Sequence, residues 1–404
     1  MAGWRWLTVL LVAATQGLAG ANAKQPSAMR PDPGAKEEAS APFPDHRPSR
    51  LSLPKGKILD MHVHVAGIGA GGSGCFLTPG IRESFKFGIY LHAFDVSEKE
   101  LLDSGDGLIF DRMQRRMQNT RKIGGVVILA LDGVIRDGKL DTNATQIYVP
   151  GDFVRRETLR HPGMYYGASI NPYRPRALQK LRQAALEGAV LVKWIPSIMH
   201  IDPADTNLTA FYLEMARLHL PLLTHTGTER AFLSARDSLG DPRRLRLPLN
   251  LGVTVIAAHA GVPGRSDGKS YRRMLQGMFA EYPNLYADIS SLTQVNKLGS
   301  LHKLAEDSLT LSRLVYGSDY PLNFTRLVSP LYQVYSLGIA KVNELKSMPE
   351  HWDRDVALKK ALGMPADVFA RAPLLLLAEK PKGVAAPKPA RKTRPRKKKA
   401  AGAQ

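Results

Sequence analysis

Between residues 56 and 378 the chain alternates between two kinds of apolar pattern. Short β-branched runs read as buried strands, and segments with apolar residues three and four apart read as amphipathic helices. KILDMHVH is the first run. The charged helix FDRMQRRMQNTRKI (110–123) leads to the second, GGVVILALDG, and MYYGASINPY is the third. The helix PRALQKLRQAALEG precedes AVLVKWIPS, and LTAFYLEMARLHL precedes PLLTHTG. VTVIAAHAG, the helix GKSYRRMLQGMFAEYP, NLYADIS, the helix HKLAEDSLTLS and RLVYGSDYP complete the series. LYQVYSLGIAKV and DVALKKALGMPADVFARAPLLLL read as closing helices. Eight strands alternating with helices predict an α/β protein with a (β/α)8 barrel over 56–378; a doubly wound open sheet is the competing arrangement.

The placement of the polar residues favours the barrel. His62 and His64 end the first strand, and Lys193 lies near the end of the fourth. His225 ends the fifth, His259 the sixth and Asp319 the eighth. In a (β/α)8 barrel these ends converge on one face, where active sites are built. Residues i and i+2 of a strand share a face, so His62 and His64 offer two imidazole nitrogens to one cation, with Asp60 expected on that same face one layer deeper. Taken singly, each has an ordinary reading: a core histidine, a lysine with its stem buried, an aspartate capping a turn. Together, imidazoles on three strands and a carboxylate on a fourth are costly to bury unless they pair or bind metal, which predicts a metal site.

Composition changes the picture only at the ends. The formal net charge is +20, yet ten of the 56 Lys and Arg residues fall after Glu379, where no acid follows. The expectation is a basic, disordered tail over 379–404, able to associate with an anionic surface or polymer, or serving only to keep the chain solvated; no specific nucleic acid is implied. Arg5, the apolar run LTVLLVAATQGLAG and the small residues ANA give residues 1–23 the order of a secretory signal peptide, with an uncleaved N-terminal anchor as the alternative; the expectation is a mature protein outside the cytoplasm, secreted or periplasmic. The Pro-rich stretch 24–55 reads as a linker. Cys75 cannot form an internal disulfide, since the chain has no other cysteine; it is expected as a small buried hydrophobe, with a place near the histidine pocket as the alternative. Glycines fill AGIGAGGSG (66–74), expected as a mobile loop over the mouth or a plain connection.

The ordered set MHVH, KWIPS, IDPAD, PLLTHTG, AAHAG and YGSDYP resembles the amidohydrolase superfamily, and within it the amidohydrolase 2 branch of metal-dependent hydrolases and nonoxidative decarboxylases. The resemblance implies that His62, His64, His225 and Asp319 hold a divalent ion, expected to be one zinc. Asp319 would also serve as general base. His259 would be a ligand of a second ion, or an acid, base or electrophile for substrate. Lys193 would either be carboxylated and bridge two ions or act as an ordinary cation beside substrate. Glu229 and Arg230, in HTGTER, are candidates to orient a ligand or grip a carboxylate, or form a surface ion pair. The function expected is an exported metal-dependent hydrolase acting on a small ester, lactone or amide. A nonoxidative decarboxylase on the same site is the alternative, with Arg230, Arg265 or Arg174 available to hold a carboxylate, and a non-catalytic binding barrel is the third reading.

Overall fold

The computed structural model describes residues 53–229, 232 and 234–376. The expected leader, the linker up to residue 52, the basic tail and Arg230 lie outside the described residues. Eight parallel strands pair in chain order: β1 (Ile58–His64), β2 (Ile123–Leu129), β3 (Met164–Ala168), β4 (Leu191–Trp194), β5 (Leu222–His225), β6 (Val255–Ala258), β7 (Leu285–Asp288) and β8 (Leu314–Val315). The chain beyond β8 returns to β1 through a parallel bridge between Val63 and Tyr320. Asp319 N–H donates to the His62 carbonyl (3.0 Å) and His64 N–H to the Tyr320 carbonyl (2.8 Å). An eight-stranded parallel sheet curled until its first and last members meet is the arrangement of a (β/α)8 barrel.

Helices follow the strands in turn: α1 (Leu108–Asn119), α2 (Gly151–Arg160), α3 (Ala177–Leu186), α4 (Thr209–Arg217), α5 (Arg246–Asn250), α6 (Tyr271–Glu281), α7 (Ser308–Arg313), then α8 (His351–Ala361) and α9 (Ala366–Leu376). Both faces of each strand are covered, so the strands are apolar nearly throughout. Val126, Ile128, Val192, Trp194, Leu222, Val255 and Leu285 pack outward against helix residues such as Met113, Phe153 and Leu181. Leu59, Met61, Val127, Leu129, Leu191, Leu223, Ile256 and Val315 fill the interior, joined by Ala372 and Leu376 of α9.

β1 departs from simple alternation. Its pairing with β2 shifts register between Asp60 and Val63, where three steps along β1 match two along β2. An extra residue of this kind re-aims the side chains that follow it. Leu59 and Met61 belong to the interior cluster, while Val63 packs with the outer layer. His62 and His64 therefore face inward past the bulge, and Asp60 faces out. This corrects the expectation that Asp60 lies beneath the histidines on their own face. Its carboxylate instead accepts from Trp352 Nε1 of α8 (2.8 Å), Ser318 N (2.9 Å) and His62 N (3.2 Å).

Two predicted helices are each two. Asp307 caps a new helix by accepting from the backbone N–H groups of Leu309 and Thr310, which splits 302–312 into Ser300–Ala305 and α7. Gly363, at φ 97°, separates α8 from α9. The glycine-rich 66–74 stretch is tied down by the buried Asp106, which accepts from Ile68 N (3.1 Å), Gly69 N (3.0 Å) and Ser73 Oγ. Gly67 is required there, because a Cβ would lie 2.2 Å from the Asp106 carboxylate. Cys75 packs inside this connection, where burial pushes its thiol up to about 12, so it is an inert core residue.

Candidate metal centre

The structure brings His62, His64, Lys193, His225, His259 and Asp319 together at the C-terminal ends of β1, β4, β5, β6 and β8. Ligand atoms of His62, His259 and Asp319 lie within 4.8 Å of one another, and all three residues are buried. His64 Nε2 is 3.0 Å from His62 Nε2 and 3.5 Å from Asp319 Oδ1. The His225 ring centre is 5.0 Å from that of His259, which is 5.2 Å from that of His62. Lys193 Nζ, also buried, sits 3.0 Å from His62 Nε2. Glu229 Oε2 is 3.9 Å from His225 Nε2, at the rim.

Asp288, at the end of β7, organises this cluster. Its Oδ2 accepts from His62 Nδ1 at 2.7 Å, and its Oδ1 accepts from His259 N at 2.8 Å and from the Ser290 hydroxyl. With the Ser290 proton spent on Asp288, Ser290 Oγ accepts from His259 Nδ1 at 2.8 Å, and the Ser290 carbonyl accepts from the same nitrogen at 3.2 Å. Both rings thus carry their proton on Nδ1 and keep Nε2 bare. That is the tautomer a metal ligand needs, set by a carboxylate behind it. It also limits His259: a bare Nε2 can bind a cation or take a proton, but it cannot donate to a carbonyl.

The backbone is strained at several positions here. His259 (φ 58°), Ala260 (φ 48°), Ser291 (φ 56°) and Asp319 (φ 67°) occupy the left-handed region at the ends of β6, β7 and β8. Non-glycine residues hold that conformation only where the surroundings impose it, and such residues gather at functional sites. α8 supplies part of the support. Lys359 Nζ donates to the Gly317 carbonyl (2.9 Å) and to Asp355 (2.7 Å), fixing the turn that carries Asp319.

Burial, with neighbouring charges, keeps the His64, His225 and His259 imidazoles neutral. It pulls His64 down to about 4 against the counteracting Asp319 hydrogen bond, His259 to about 3, and His225 well below the usual range. Burial likewise brings the Lys193 ammonium down to about 8. For Asp319, burial acts upward but is outweighed by the surrounding imidazoles, which hold the carboxyl well below its ordinary value. His225 Nε2 is buried and, among the described residues, has no hydrogen-bond partner. An orphaned imidazole nitrogen beside bare Nε2 atoms and an ionised carboxylate fits a divalent cation.

Several contributors were missed in the sequence: Asp288, Ser290, Ser291 and Lys297. Asp288 ends a strand, in YADIS, and extending the strand-end rule to β7 would have found it. His200 lies apart, with Nε2 on the Ser234 carbonyl (3.2 Å). Arg174 is closed on Asp132 in a bidentate pair (2.7 and 2.6 Å). Arg265 lines a groove of about 830 Å³ with Lys269, Arg272 and Arg273, a groove to which none of the clustered histidines contributes. No helix among the described residues is long and apolar enough to cross a membrane.

The fold is of the (β/α)8 barrel type, and its buried donor set could hold a metal ion. The family model described as Amidohydrolase matches residues 59–326, and the chain belongs to that family. No curated protein matches it. Similar solved structures include an uncharacterised TIM-barrel protein from Bordetella bronchiseptica, at 16% identity over 75% of this chain and 99% of that one, TM-score 0.48. A putative 2-pyrone-4,6-dicarboxylic acid hydrolase from Pseudomonas putida is similar at 13% identity over 80% and 99%, TM-score 0.42. A 5-carboxyvanillate decarboxylase from Novosphingobium aromaticivorans, with bound manganese, is similar at 13% identity over 79% and 97%, TM-score 0.42. The family covers both hydrolases and nonoxidative decarboxylases.

Proposed function

We propose that this protein is a metal-dependent hydrolase that uses water to cleave a small ester, lactone or amide. The observation that carries this reading is the convergence of bare imidazole nitrogens, one of them orphaned, on an ionised and strained Asp319. His62, His64, His225 and Asp319 would hold one divalent ion, with zinc the ion expected, and His259 would lie beside it. When bound, the ion supplies Lewis acidity and brings the pKa of water from 15.7 to near 7. Asp319 takes the proton of the attacking water as general base and passes it to the leaving group. His259, bare at Nε2, stands as a second proton acceptor or a further ligand. Lys193, partly neutral near pH 8, has the chemistry either to form a carbamate and bridge a second ion or to hold substrate as a cation.

Nonoxidative decarboxylation at the same centre is the second reading, favoured by a cation, Lys297, in the wall around His259. We also place the mature protein outside the cytoplasm, on the strength of its leader-like first 23 residues, with the basic tail contacting an anionic surface. Incubating the metal-loaded protein with esters, lactones, amides and aromatic acids separates the reactions. Addition of water to the product supports the hydrolase, and released carbon dioxide supports the decarboxylase. Turnover that persists after chelation and dialysis contradicts both.

A further inference from the structure

A dense concentration of positive charge lies outside the metal centre, in the groove of about 830 Å³ along α6. Seven Lys and Arg side chains line it against one acid, Glu281. Glu281 is taken by Arg246 (2.7 Å), and Arg243 is closed on Asp241 (2.6 Å) and Asp267 (2.7 Å). Arg265 and Arg272 donate only to neutral oxygens, the Gly268 carbonyl (2.7 Å) and the Gln276 side chain (2.6 Å). Lys269, Arg273 and Lys303 enter no ion pair among the described residues. Burial, and after it the charge of Arg273, lower the Arg272 guanidinium from its ordinary value. Like charges held together repel one another, and a bound anion relieves that cost.

The local fold fixes where these cations stand. Arg265–Ser266 and Lys269–Ser270 pair antiparallel across Asp267 (φ 49°) and Gly268 (φ 73°), the positive-φ positions of a tight hairpin turn. Ser270 Oγ then caps α6 by accepting from Arg273 N (3.3 Å). Arg273, Met274, Gly277, Met278 and Glu281 form a stripe of α6 along the groove, at three- and four-residue spacing. A Cβ at Gly277 would meet nothing within 4 Å, so no contact demands glycine there, although glycine weakens a helix interior. Its effect is to leave the middle of the groove open. Gly261–Gly264, which follow His259, add a further wall, but no candidate metal ligand lines the groove.

We propose that this groove is a second ligand site, distinct from the metal centre, that takes a small linear oligophosphate. Its volume lies within the roughly 300–1,000 Å³ of small-molecule sites. Arginine forks meet phosphate oxygens two at a time, and cations spread along a helix face suit a ligand charged at every unit. No Phe, Tyr or Trp lines the groove, so it lacks the platform on which nucleic-acid bases stack. The charges line a concavity, which a short chain can enter and a bilayer surface cannot. The chain's own segment after Glu379, with ten cations and no acid, carries the wrong sign to fill it.

The test uses the full chain, as wild type, as the double variant Lys269→Ala/Arg273→Ala, and as Gly277→Met. Lys269 and Arg273 are exposed, so their removal should spare the fold, which circular dichroism checks. Tripolyphosphate, orthophosphate, citrate, oligothymidylate and phosphatidylglycerol vesicles are titrated by calorimetry at physiological salt. The charges after Glu379 are the same in all three chains and cancel in the comparison. Wild type should bind tripolyphosphate at least about 10-fold more tightly than orthophosphate or citrate, and its unfolding midpoint should rise with ligand concentration. The double variant should lose roughly 10- to 100-fold in tripolyphosphate affinity, the loss of charge-assisted hydrogen bonds. Gly277→Met, which keeps every cation, should also bind more weakly because its side chain occupies the groove. Equal tripolyphosphate binding by all three chains places the ligand elsewhere and overturns the proposal. So does a wild type that shows no preference over orthophosphate, or one that binds oligothymidylate or the vesicles more tightly.

Discussion

Asp60 and His62 lie two residues apart on one strand, yet they face opposite sides of the barrel wall. The register shift between Asp60 and Val63 sends the histidine toward Lys193 and leaves the aspartate on Trp352 of the outer layer. The Asp60 carboxylate holds the bulge by accepting from His62 N and Ser318 N. Asp60→Ala would leave these buried donors unsatisfied at about 1–3 kcal/mol each. The expected result is a large loss of stability in urea unfolding, with a smaller loss for Asp60→Asn. An Asp60→Ala variant as stable as wild type would remove the bulge from the account.

Gly317 provides a steric test of the same corner. A Cβ there would lie 2.7 Å from the His62 Cβ and 3.3 Å from the Ser290 Cβ. Gly317→Ala should displace His62 and lower metal affinity while the far side of the barrel stays folded. Metal titration alongside circular dichroism reads both effects.

Asp288 sets the tautomer of His62 directly and that of His259 through Ser290. Asp288→Asn keeps the shape but removes the charge that fixes the Nδ1 proton. Loss of such a partner typically costs about 10- to 100-fold in metal affinity or activity. That loss is expected in a competition titration against a chromophoric chelator.

Acid should destabilise the metal-free protein. His64 is pulled from 6.5 to about 4, and His225 and His259 are lowered in the same direction. Between those limits the unfolded chain binds protons that the folded chain refuses, so stability is full above about pH 6.5 and falls toward pH 4. Asp60, raised to about 6 by burial, works in the opposite direction over part of this range, but one carboxyl opposes three imidazoles. Thermal unfolding of chelator-treated protein at pH 7.5, 6 and 5 should give a falling midpoint. A flat profile would mean that the imidazoles are not held neutral.

Much of this was legible in the chain itself. Alternating strand and helix periods identified all eight barrel strands, and the strand-end position singled out each of the clustered histidines, Lys193 and Asp319. What escaped has a physical cause. A bulge is a property of the pairing between β1 and β2, invisible in ILDMHVH alone, so Asp60 was assigned to the wrong face. Ser290, Ser291 and Lys297 work through a left-handed turn whose conformation the composition of ISSLTQVNK does not announce. The helix break at Asp307 was written as a capping aspartate but was overridden by the apolar spacing on either side.

The most direct measurement is the metal content of the purified chain after loading with zinc and exhaustive dialysis, for wild type and for His62→Ala, His225→Ala and Asp319→Ala. The account predicts about one tightly held ion per wild-type chain, as expected for a single centre of this donor type, and its loss or marked weakening in each variant that remains folded. A wild-type chain that retains no ion, or variants that retain as much as wild type, would contradict the assignment of this cluster as a metal centre.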